Sequence, residues 1–212
     1  MLGDRPDNEA AVEQYRRAAL GYDRHMRTYR RWQAKAVDRL GLRPGDTVID
    51  VACGTGLNFD LLEAGVGSAG KIVGIDLSPD MLAQARERVI ARGWSNVTLI
   101  EAPVEEARFD AEADAALFSF THDVLQSPQA VANIVTHLKP SARVASVGAK
   151  LGARWNVAVN FFVRRTARDY VTTFSGLDRP WRELERYTGP MEHRDLALGG
   201  AYLAWGVIGP RD

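Results

Sequence analysis

Two glycines and two aspartates in the first half of the chain have the types and spacing of a small-ligand site. Gly54 and Gly56 lie in a short turn, where the missing Cβ lets the backbone approach a ligand closely. Asp50 precedes this turn, and Asp76 ends the next apolar run along the chain. A helix that starts after the turn would present unpaired N–H groups and a partial positive charge. We therefore predict that this turn binds a small polar molecule.

The two carboxylates narrow the chemistry of that molecule. Asp50 would repel a pyrophosphate but attract an ammonium group, and Asp76 could accept hydrogen bonds from both hydroxyls of a ribose. The dinucleotide fingerprint G-x-G-x-x-G also requires a third glycine where this chain has Phe59. A ligand with an amino acid at one end and a ribose in the middle is S-adenosylmethionine. The pattern favours this ligand over a nicotinamide dinucleotide.

Two stretches carry a resemblance to a known family. Residues 48–57 resemble the first motif of the class I S-adenosylmethionine-dependent methyltransferases, and residues 74–82, Gly-Ile-Asp-Leu-Ser-Pro-Asp-Met-Leu, resemble the second. Within that superfamily the chain is most similar to the ubiquinone/menaquinone type and to bacterial phospholipid N-methyltransferases, over about residues 12–148. The resemblance implies methyl transfer to a small-molecule acceptor at O, N or C. It also implies S-adenosylmethionine as cofactor and S-adenosylhomocysteine as product.

The resemblance further implies which residues contact the cofactor. They lie in the two motifs, after the third and fourth predicted strands, and in the N-terminal segment: Tyr22, Asp50, Ala52, Gly54, Gly56, Asp76, Leu77, Met81, Ala102, Val104 and Phe120. Tyr22 is included because Tyr22-Asp23 resembles a Tyr-Asp pair that closes over the cofactor in the quinone-type enzymes. The family's usual Gly-Asp-Ala after the third strand reads Ala102-Pro103-Val104 here. Adenine recognition would then rest on apolar contact, on backbone groups or on Glu105.

The end of the fourth predicted strand holds the candidate catalytic residues. Ligands gather at the carboxyl ends of the strands in an open α/β sheet, and here that end reads Thr-His-Asp. Methyl transfer from a sulfonium needs a base only where the acceptor is protonated. His122 is the best placed candidate, and Asp123 could orient its ring or act directly. The alternative is that His122 is a structural residue with its hydrogen bonds satisfied.

These residues require strands and helices that bring them together. Apolar runs of strand length alternate with segments of helical spacing, which predicts a doubly wound, mostly parallel α/β sheet of the Rossmann-like type. The predicted strands are residues 47–52, 71–76, 96–101, 113–120 and 142–148. The predicted helices are a short one after the glycine turn and residues 79–92, 128–138 and 179–187. A hairpin is predicted over residues 191–208, and the resemblance implies seven strands, one of them antiparallel.

The N-terminal segment carries an aromatic stripe and a local positive charge. Residues 11–40 have helical spacing with a break near Gly21, and residues 16–35 hold seven Arg/Lys against one acid. The stripe comprises Tyr15, Tyr22 and Tyr29, with His25 and Trp32 nearby. It either packs on the domain or forms a lid, and we expect His25 and Tyr29 to contact the substrate. The basic residues either form a solvated helix face or attract an anionic substrate or lipid.

Residues 149–178 interrupt the strand-helix alternation. Residues 155–163 are apolar and aromatic, with arginines on both sides. This segment is an amphipathic core helix, a substrate lid or a helix at a membrane surface. If it is a lid, Trp155 and Tyr170 contact the substrate. The sequence therefore allows a membrane surface as a partner, through peripheral contact.

Composition limits the remaining possibilities. The 212 residues suit one domain, with a lid (1–40), a cofactor-binding core (41–148), a substrate-side insertion (149–178) and a terminal helix and hairpin (179–212). Because 27 basic residues balance 27 acidic ones, no nucleic-acid partner is expected.

The single cysteine, a polar N-terminus and the lack of a long apolar run predict a cytoplasmic protein. No metal site is expected, and oligomeric state stays open. A silent cofactor-binding module and an NAD-dependent oxidoreductase are the alternative functions.

Overall fold

Seven strands form one sheet in the order β3-β2-β1-β4-β5-β7-β6. The computed structural model describes residues 23, 26–110, 112–153, 156–167 and 171–210. The strands are β1 (Thr47–Val51), β2 (Lys71–Asp76), β3 (Val97–Glu101), β4 (Ala113–Ser119), β5 (Leu138–Ala149), β6 (Glu192–Leu196) and β7 (Ala201–Val207). Strands β1 to β5 pair in parallel, and β7 is antiparallel to both β5 and β6. The predicted doubly wound sheet with a terminal hairpin is confirmed.

Helices cover both faces of this sheet. In chain order they are α1 (Arg30–Leu40), α2 (Phe59–Val66), α3 (Pro79–Arg92), α4 (His122–Leu125), α5 (Pro128–Thr136), α6 (Val157–Ala167) and α7 (Glu185–Thr188). A 3-10 turn, Arg27–Tyr29, precedes α1, and another, Ala197–Gly199, joins β6 to β7. Helices α1, α2 and α3 bury Leu40, Phe59 and Leu82 against one face. Helix α5 buries Val131 and Ile134 against the other.

The sheet order creates a switch point between β1 and β4. Strand β1 pairs with β2 on one side and with β4 on the other, so Val51 lies beside both Ile75 and Phe118. The carboxyl ends of these three strands therefore meet at one edge. Connections from this edge run to opposite sides of the sheet, which leaves a crevice where open α/β sheets bind ligands.

Helix α3 begins and ends where its sequence signals predict. The Ser78 hydroxyl accepts a hydrogen bond from the Met81 N–H at 3.4 Å, and Pro79 occupies the first turn. At the other end Gly93 adopts the left-handed conformation, with φ of 68°. Met81 and Leu82 are buried in the first turn. The cap thus fixes the start of α3 directly after Asp76.

The predicted bounds of three elements are wrong. The predicted helix over residues 179–187 is a series of turns, and only Glu185–Thr188 is helical. Its backbone hydrogen bonds span three residues, as in Arg182 N–H to Arg179 O, because Trp181 and Leu184 both turn into the core. Helix α5 also ends at Thr136, and β5 starts earlier than predicted, where Leu138 pairs with Ala113 across a register shift.

Candidate functional site

The glycine turn continues β1 through an unusual backbone. Ala52 has a φ of 49°, followed by Gly54 at 57° and Gly56 at 74°. Glycine adopts such angles freely, but alanine does not, and strained residues of this kind cluster at binding sites. The Cys53 N–H donates to the carbonyl of Ile75 at 2.9 Å, which ties the turn to β2. This hydrogen bond fixes the turn at the carboxyl end of β2.

Phe59 fills the space beneath the turn. Its side chain is fully buried, and a Cβ placed on Gly56 would lie 2.5 Å from its ring. A Cβ on Gly74 of β2 would lie 2.9 Å from the same ring. The dinucleotide fingerprint uses a third glycine to bring helix and strand together. In this chain the missing side chain of Gly74 on β2 leaves space for the Phe59 ring. Phe59 can therefore stand where the fingerprint has its third glycine.

Asp50 is a fully buried carboxylate at the base of the turn. The Asn58 side-chain amide donates to its two oxygens at 3.2 and 3.3 Å. Burial raises the pKa of Asp50 to about 7, the hydrogen bond from Asn58 opposes this shift, and the nearby charge of Asp76 adds to it. A cationic group bound beside Asp50 would restore its charge. The predicted role of Asp50 in binding an ammonium group is chemically consistent with this environment.

Asn58 was not predicted from the sequence. It precedes α2 but makes no side-chain cap, because its amide turns inward to Asp50. Its Oδ1 atom is buried and has no hydrogen-bond partner among the described residues. An acceptor of this kind beside a carboxylate suits the N–H groups of an ammonium ion.

Asp76 lies at the end of β2 with its carboxylate oriented by backbone N–H groups. Gly54 donates to Oδ2 at 2.8 Å, and Ser78 donates to Oδ1 at 2.9 Å. Burial raises the pKa of Asp76, and the hydrogen bonds from Ser78, Gly54 and Leu77 oppose that shift. Each oxygen retains capacity for a second hydrogen bond, such as one from a ribose hydroxyl. Leu77 is half-buried and Met81 is buried beside it.

The turn after β3 forms an apolar wall. Ala102 is half-buried and Val104 is buried. The Ala102 N–H donates to the Asp76 carbonyl at 3.1 Å, and the Asn133 amide donates to the Val104 carbonyl at 2.7 Å. These contacts hold the turn between β2 and α5. Its role in binding adenine stays a prediction.

Phe120 and Tyr29 come together at the end of β4. Phe120 has a φ of 60°, and its N–H donates to the Val147 carbonyl at 2.8 Å. Its ring lies 5.1 Å from that of Tyr29, with an interplanar angle of 47°. Tyr29 also contacts Trp32, with 5.1 Å between ring centroids. The structure thus joins a predicted cofactor contact and a predicted substrate contact in one aromatic wall.

Buried polar atoms without partners concentrate at this same edge. Buried polar groups are nearly always hydrogen-bonded, so exceptions mark places where a ligand can supply the missing partner. Among the described residues they are Gln33 Oε1, Asn58 Oδ1, Thr121 Oγ1, both ring nitrogens of His122, Asp123 Oδ1 and, away from this edge, Trp181 Nε1. Gln33 lies on α1, and its amide nitrogen is 3.5 Å from the Ser119 hydroxyl. Sequence reasoning missed Gln33 and Thr121, whose patterns are those of ordinary helix and loop residues.

His122 starts α4 and is buried. Desolvation lowers the pKa of His122 to about 4, and backbone groups of Ser175 and Thr173 act in the opposite direction. Neither ring nitrogen meets hydrogen-bond geometry with a described residue, so these backbone groups act at longer range. His122 is therefore neutral near pH 7 and can donate or accept a hydrogen bond there.

Asp123 does not orient the His122 ring. Its Oδ2 atom accepts hydrogen bonds from the Thr172 N–H at 2.8 Å and from the Thr172 hydroxyl at 2.7 Å. Burial raises the pKa of Asp123, and the hydrogen bonds from Thr172 oppose that shift. In this arrangement Asp123 anchors the segment after α6 to the end of β4. Its predicted participation in catalysis stays a prediction.

Asp23 connects the N-terminal segment to the glycine turn. The Thr55 hydroxyl donates to one Asp23 oxygen at 2.6 Å, and Arg88 of α3 donates to the other at 2.6 Å. Arg88 also donates to the Thr55 carbonyl at 3.0 Å. Arg30 adds a hydrogen bond to the Leu57 carbonyl. Four predicted contacts lie outside the described residues: Tyr22, His25, Trp155 and Tyr170.

Two other features are absent from the described part of the chain. These residues contain no group of three or more His, Cys, Asp or Glu side chains that could hold a metal ion. None of their helices is long and apolar enough to cross a bilayer.

The fold is similar to that of class I S-adenosylmethionine-dependent methyltransferases. Residues 48–141 match a family model described as a methyltransferase domain. Among solved structures, the chain superposes on the N-methyltransferase NodS from Bradyrhizobium japonicum in complex with S-adenosylhomocysteine, with a TM-score of 0.70 and 16% identity. The superposition covers 95% of this chain and 99% of NodS. The chain therefore has the fold of this class, and its residues 48–141 resemble a methyltransferase domain.

Curated relatives share part of the sequence. The 2-phytyl-1,4-naphtoquinone methyltransferase of Trichormus variabilis is 31% identical over 123 residues, which cover 55% of this chain and 52% of the relative. The demethylmenaquinone methyltransferase of Symbiobacterium thermophilum is 31% identical over 142 residues, which cover 64% and 55%. The chain thus spans about half the length of the curated relatives it matches. The predicted resemblance to the quinone type is confirmed, and the oxidoreductase alternative gains no support.

Proposed function

We propose that this chain transfers a methyl group from S-adenosylmethionine to a small aromatic acceptor of the quinone-precursor type. The carrying observation is the pair of buried carboxylates, Asp50 and Asp76, on either side of Gly54. Asp50 and Asn58 would hold the amino group of the cofactor, and Asp76 would hold its ribose. Ala102 and Val104 would cover the adenine. When bound, the cofactor supplies a methyl carbon whose bond to sulfur breaks with the electron pair left on sulfur.

The acceptor side supports an aromatic substrate. Tyr29 and Phe120 form an aromatic wall at the end of β4. Aromatic rings pack favourably on one another in tilted or offset arrangements, so this wall suits a substrate with a planar ring. The two relatives described above are named for naphthoquinone and menaquinone substrates. Gln33 and Thr121 have unpartnered oxygen atoms near this wall, and these suit hydroxyl groups on such a ring.

The chemistry relies on positioning and desolvation. His122, with a pKa of about 4, is a weak base at neutral pH, and Asp123 is engaged with Thr172. We propose that neutral His122 hydrogen-bonds to the acceptor and fixes its orientation. Positioning of this kind contributes up to about 7 to 11 kcal/mol in favourable cases. An acceptor atom that carries a proton releases it to water when the new carbon bond forms.

The proposal also retains two expectations about organisation. Residues 1–212 would form one methyltransferase domain in which residues 1–40 and 149–178 cover the acceptor. The enzyme would act in the cytoplasm, a reducing compartment that suits a protein with the single buried cysteine Cys53.

A transfer assay tests the proposal. The protein is incubated with methyl-labelled S-adenosylmethionine and a reduced demethylmenaquinone with a shortened side chain, beside a phenol and an amine. We expect labelled, methylated quinol, with turnover reduced about a hundredfold in Asp76→Ala, because two charge-assisted hydrogen bonds are lost. Asp38→Asn, an exposed carboxylate on α1, is the matched control and should behave as the wild type.

The other outcomes of this assay are also informative. Transfer to the amine alone would overturn the quinone-type acceptor while retaining methyl transfer. Binding of S-adenosylhomocysteine without transfer to any acceptor would instead support a cofactor-binding module.

A further inference from the structure

We propose that the outer face of α6, with the β6–β7 connection, is a docking surface for an anionic lipid layer. The surface consists of four exposed apolar side chains and two exposed arginines: Val157, Phe161, Phe162, Leu198, Arg164 and Arg165. We call it the α6 surface. The binding itself does not depend on the proposed function. Only the suggestion that an acceptor enters from the lipid layer rests on the proposed function.

The apolar side chains of the α6 surface are unusually open to solvent. Phe161 and Phe162 are 68% and 63% exposed, and Val157 and Leu198 are 69% and 88% exposed. Among the described residues, the other large hydrophobic side chains with comparable exposure, Ile90 and Val207, lie on different elements. A concentration of this kind on one face marks a surface that binds another apolar phase.

Two contacts bring these residues to the same place. The Asn156 amide donates to the Leu198 carbonyl at 3.0 Å, so the start of α6 lies against the β6–β7 connection. Gly200 lies directly beneath Val159 and Val163, where an added Cβ would meet their side chains at 2.9 and 3.2 Å. Helix α6 therefore packs one face on this glycine and turns its opposite face outward.

The outward face combines phenylalanine with arginine. With 3.6 residues per turn, Val157, Phe161 and Arg164 fall on one side of the helix axis. Arg165 follows beside Phe161, and Phe162 lies about 100° further round the helix than Phe161. The sequence of α6 contains no acidic residue. The Arg164 guanidinium lies 5.4 Å from the centroid of the Phe174 ring, a cation–π distance that keeps it beside the surface. Aromatic and basic side chains on one helical face are typical of helices that lie in a lipid interface.

This charge distribution favours lipid over a second copy of the chain. A two-fold contact centred on α6 would bring Arg164 and Arg165 of one copy close to the same residues of the other. Such a contact would place like charges together in an apolar setting, which is unfavourable. Anionic headgroups would instead pair with both arginines while the phenylalanines enter the acyl boundary. The sequence places two further arginines, Arg154 and Arg168, just before and just after α6, outside the described residues.

The α6 surface connects to the candidate site through its two flanking segments. The Leu151 N–H before α6 donates to the Leu177 carbonyl at 2.7 Å. After α6, Thr172 donates to Asp123, the neighbour of His122, at 2.8 and 2.7 Å. A lipid layer bound at α6 would therefore lie beside the acceptor end of the site. If the proposed function holds, a prenylated acceptor could enter from that layer.

Vesicle binding tests the inference without cofactor or acceptor. The protein is mixed with vesicles of phosphatidylglycerol and phosphatidylcholine in equal parts, or of phosphatidylcholine alone, and the bound fraction is measured by cosedimentation. We expect binding to the anionic vesicles that weakens as salt is added. The Phe161→Ser/Phe162→Ser double variant should require about tenfold more lipid. Arg164→Gln/Arg165→Gln should lose the preference for anionic lipid.

Controls separate surface chemistry from folding. Ile90→Ser removes an equally exposed hydrophobic residue from α3 and should bind vesicles as the wild type does. Thermal unfolding should be unchanged in all three variants, because the substituted side chains are exposed. S-adenosylhomocysteine titration of the same samples tests the proposed function separately.

Two results would overturn the inference. The first is a wild type that does not bind anionic vesicles, or a double phenylalanine variant that binds them equally well. The second is a wild-type protein that sediments as a dimer and does not bind vesicles, together with a double phenylalanine variant that sediments as a monomer. That result would make the α6 surface an interface between copies of the chain.

Discussion

The Asp23 carboxylate lies 2.6 Å from the guanidinium of Arg88 and links the N-terminal segment to helix α3. Its second oxygen accepts a hydrogen bond from Thr55 inside the glycine turn at 2.6 Å. The residue before Asp23 is Tyr22, which we predict to contact the cofactor. The ion pair therefore sits where it can hold that segment over the turn.

We expect Arg88→Gln to weaken cofactor binding more than it weakens the fold. Arg88 and Asp23 are both partly exposed, so the pair contributes about 1 kcal/mol or less, or up to about fivefold in affinity. The dissociation constant of S-adenosylhomocysteine, measured by calorimetry, should rise by that factor. Arg86→Gln, an exposed residue of the same helix, is the control and should have no effect. Equal affinities for Arg88→Gln and the wild type would mean that the ion pair does not position the segment.

Asp50 should make cofactor binding depend on pH. Its pKa of about 7 in the free protein means that the carboxylate becomes protonated as the pH falls through that value. A cationic ligand prefers the charged form, so affinity should fall below about pH 7, by up to about tenfold per pH unit, and level off above it. Titrations with S-adenosylhomocysteine from about pH 5.5 to about pH 8 measure this slope.

Asp50→Asn is the matched control for the pH slope. It keeps the shape of the side chain but cannot titrate, so its affinity should be lower above about pH 7 and nearly flat below it. Asp76, whose pKa burial also raises, is present in both proteins, so the difference between them reports Asp50 together with its charge interaction with Asp76. A slope that persists unchanged in Asp50→Asn would assign the titration to another group.

Gly74→Ala should destabilise the fold. The added Cβ would lie 2.9 Å from both the Cys53 sulfur and the Phe59 ring, and β2 cannot move away because it is paired on both sides. Overpacking of this kind costs about 1 to 3 kcal/mol. Urea unfolding measures the loss. Gly148→Ala on β5, where the Cβ would meet Tyr202 at an ordinary 3.4 Å, should cost much less. Equal losses at the two positions would contradict the packing account.

His122 should act as a neutral hydrogen-bonding group. Because its pKa is about 4, its protonation changes below the working range, and turnover should show no inflection from His122 above about pH 5. His122→Gln keeps a donor and an acceptor and should retain more turnover than His122→Ala. A pH profile with a histidine-like inflection that His122→Gln removes would assign it the role of general base instead.

The local part of the site could be predicted from the sequence because strand, turn and helix follow one another directly. Asp50, the two glycines and Asp76 lie within two consecutive strand-turn units, and the structure brings them together as expected. The capped helix α3 was predictable for the same reason, since Ser78, Pro79 and Gly93 act on their own neighbours.

The remainder depends on contacts between distant parts of the chain. Gln33 reaches Ser119, and Asp23 reaches Arg88, only after α1 and the sheet have assembled. Asp123 does not orient the His122 ring, which was one of its two predicted roles, because Thr172, far along the chain, donates to its Oδ2 atom. The predicted helix over residues 179–187 failed because Trp181 and Leu184 pack into the core through turns. Neither local spacing nor composition carries this information.

Calorimetric titration of the purified protein with S-adenosylhomocysteine tests the central claim most directly. The wild type and the Asp38→Asn control should bind it with micromolar affinity, and Asp76→Ala should bind it about a hundredfold more weakly. NADH, titrated in parallel, should not bind. Binding of NADH in place of S-adenosylhomocysteine, or equal binding by Asp76→Ala, would contradict the assignment of the turn at Gly54 as the cofactor site.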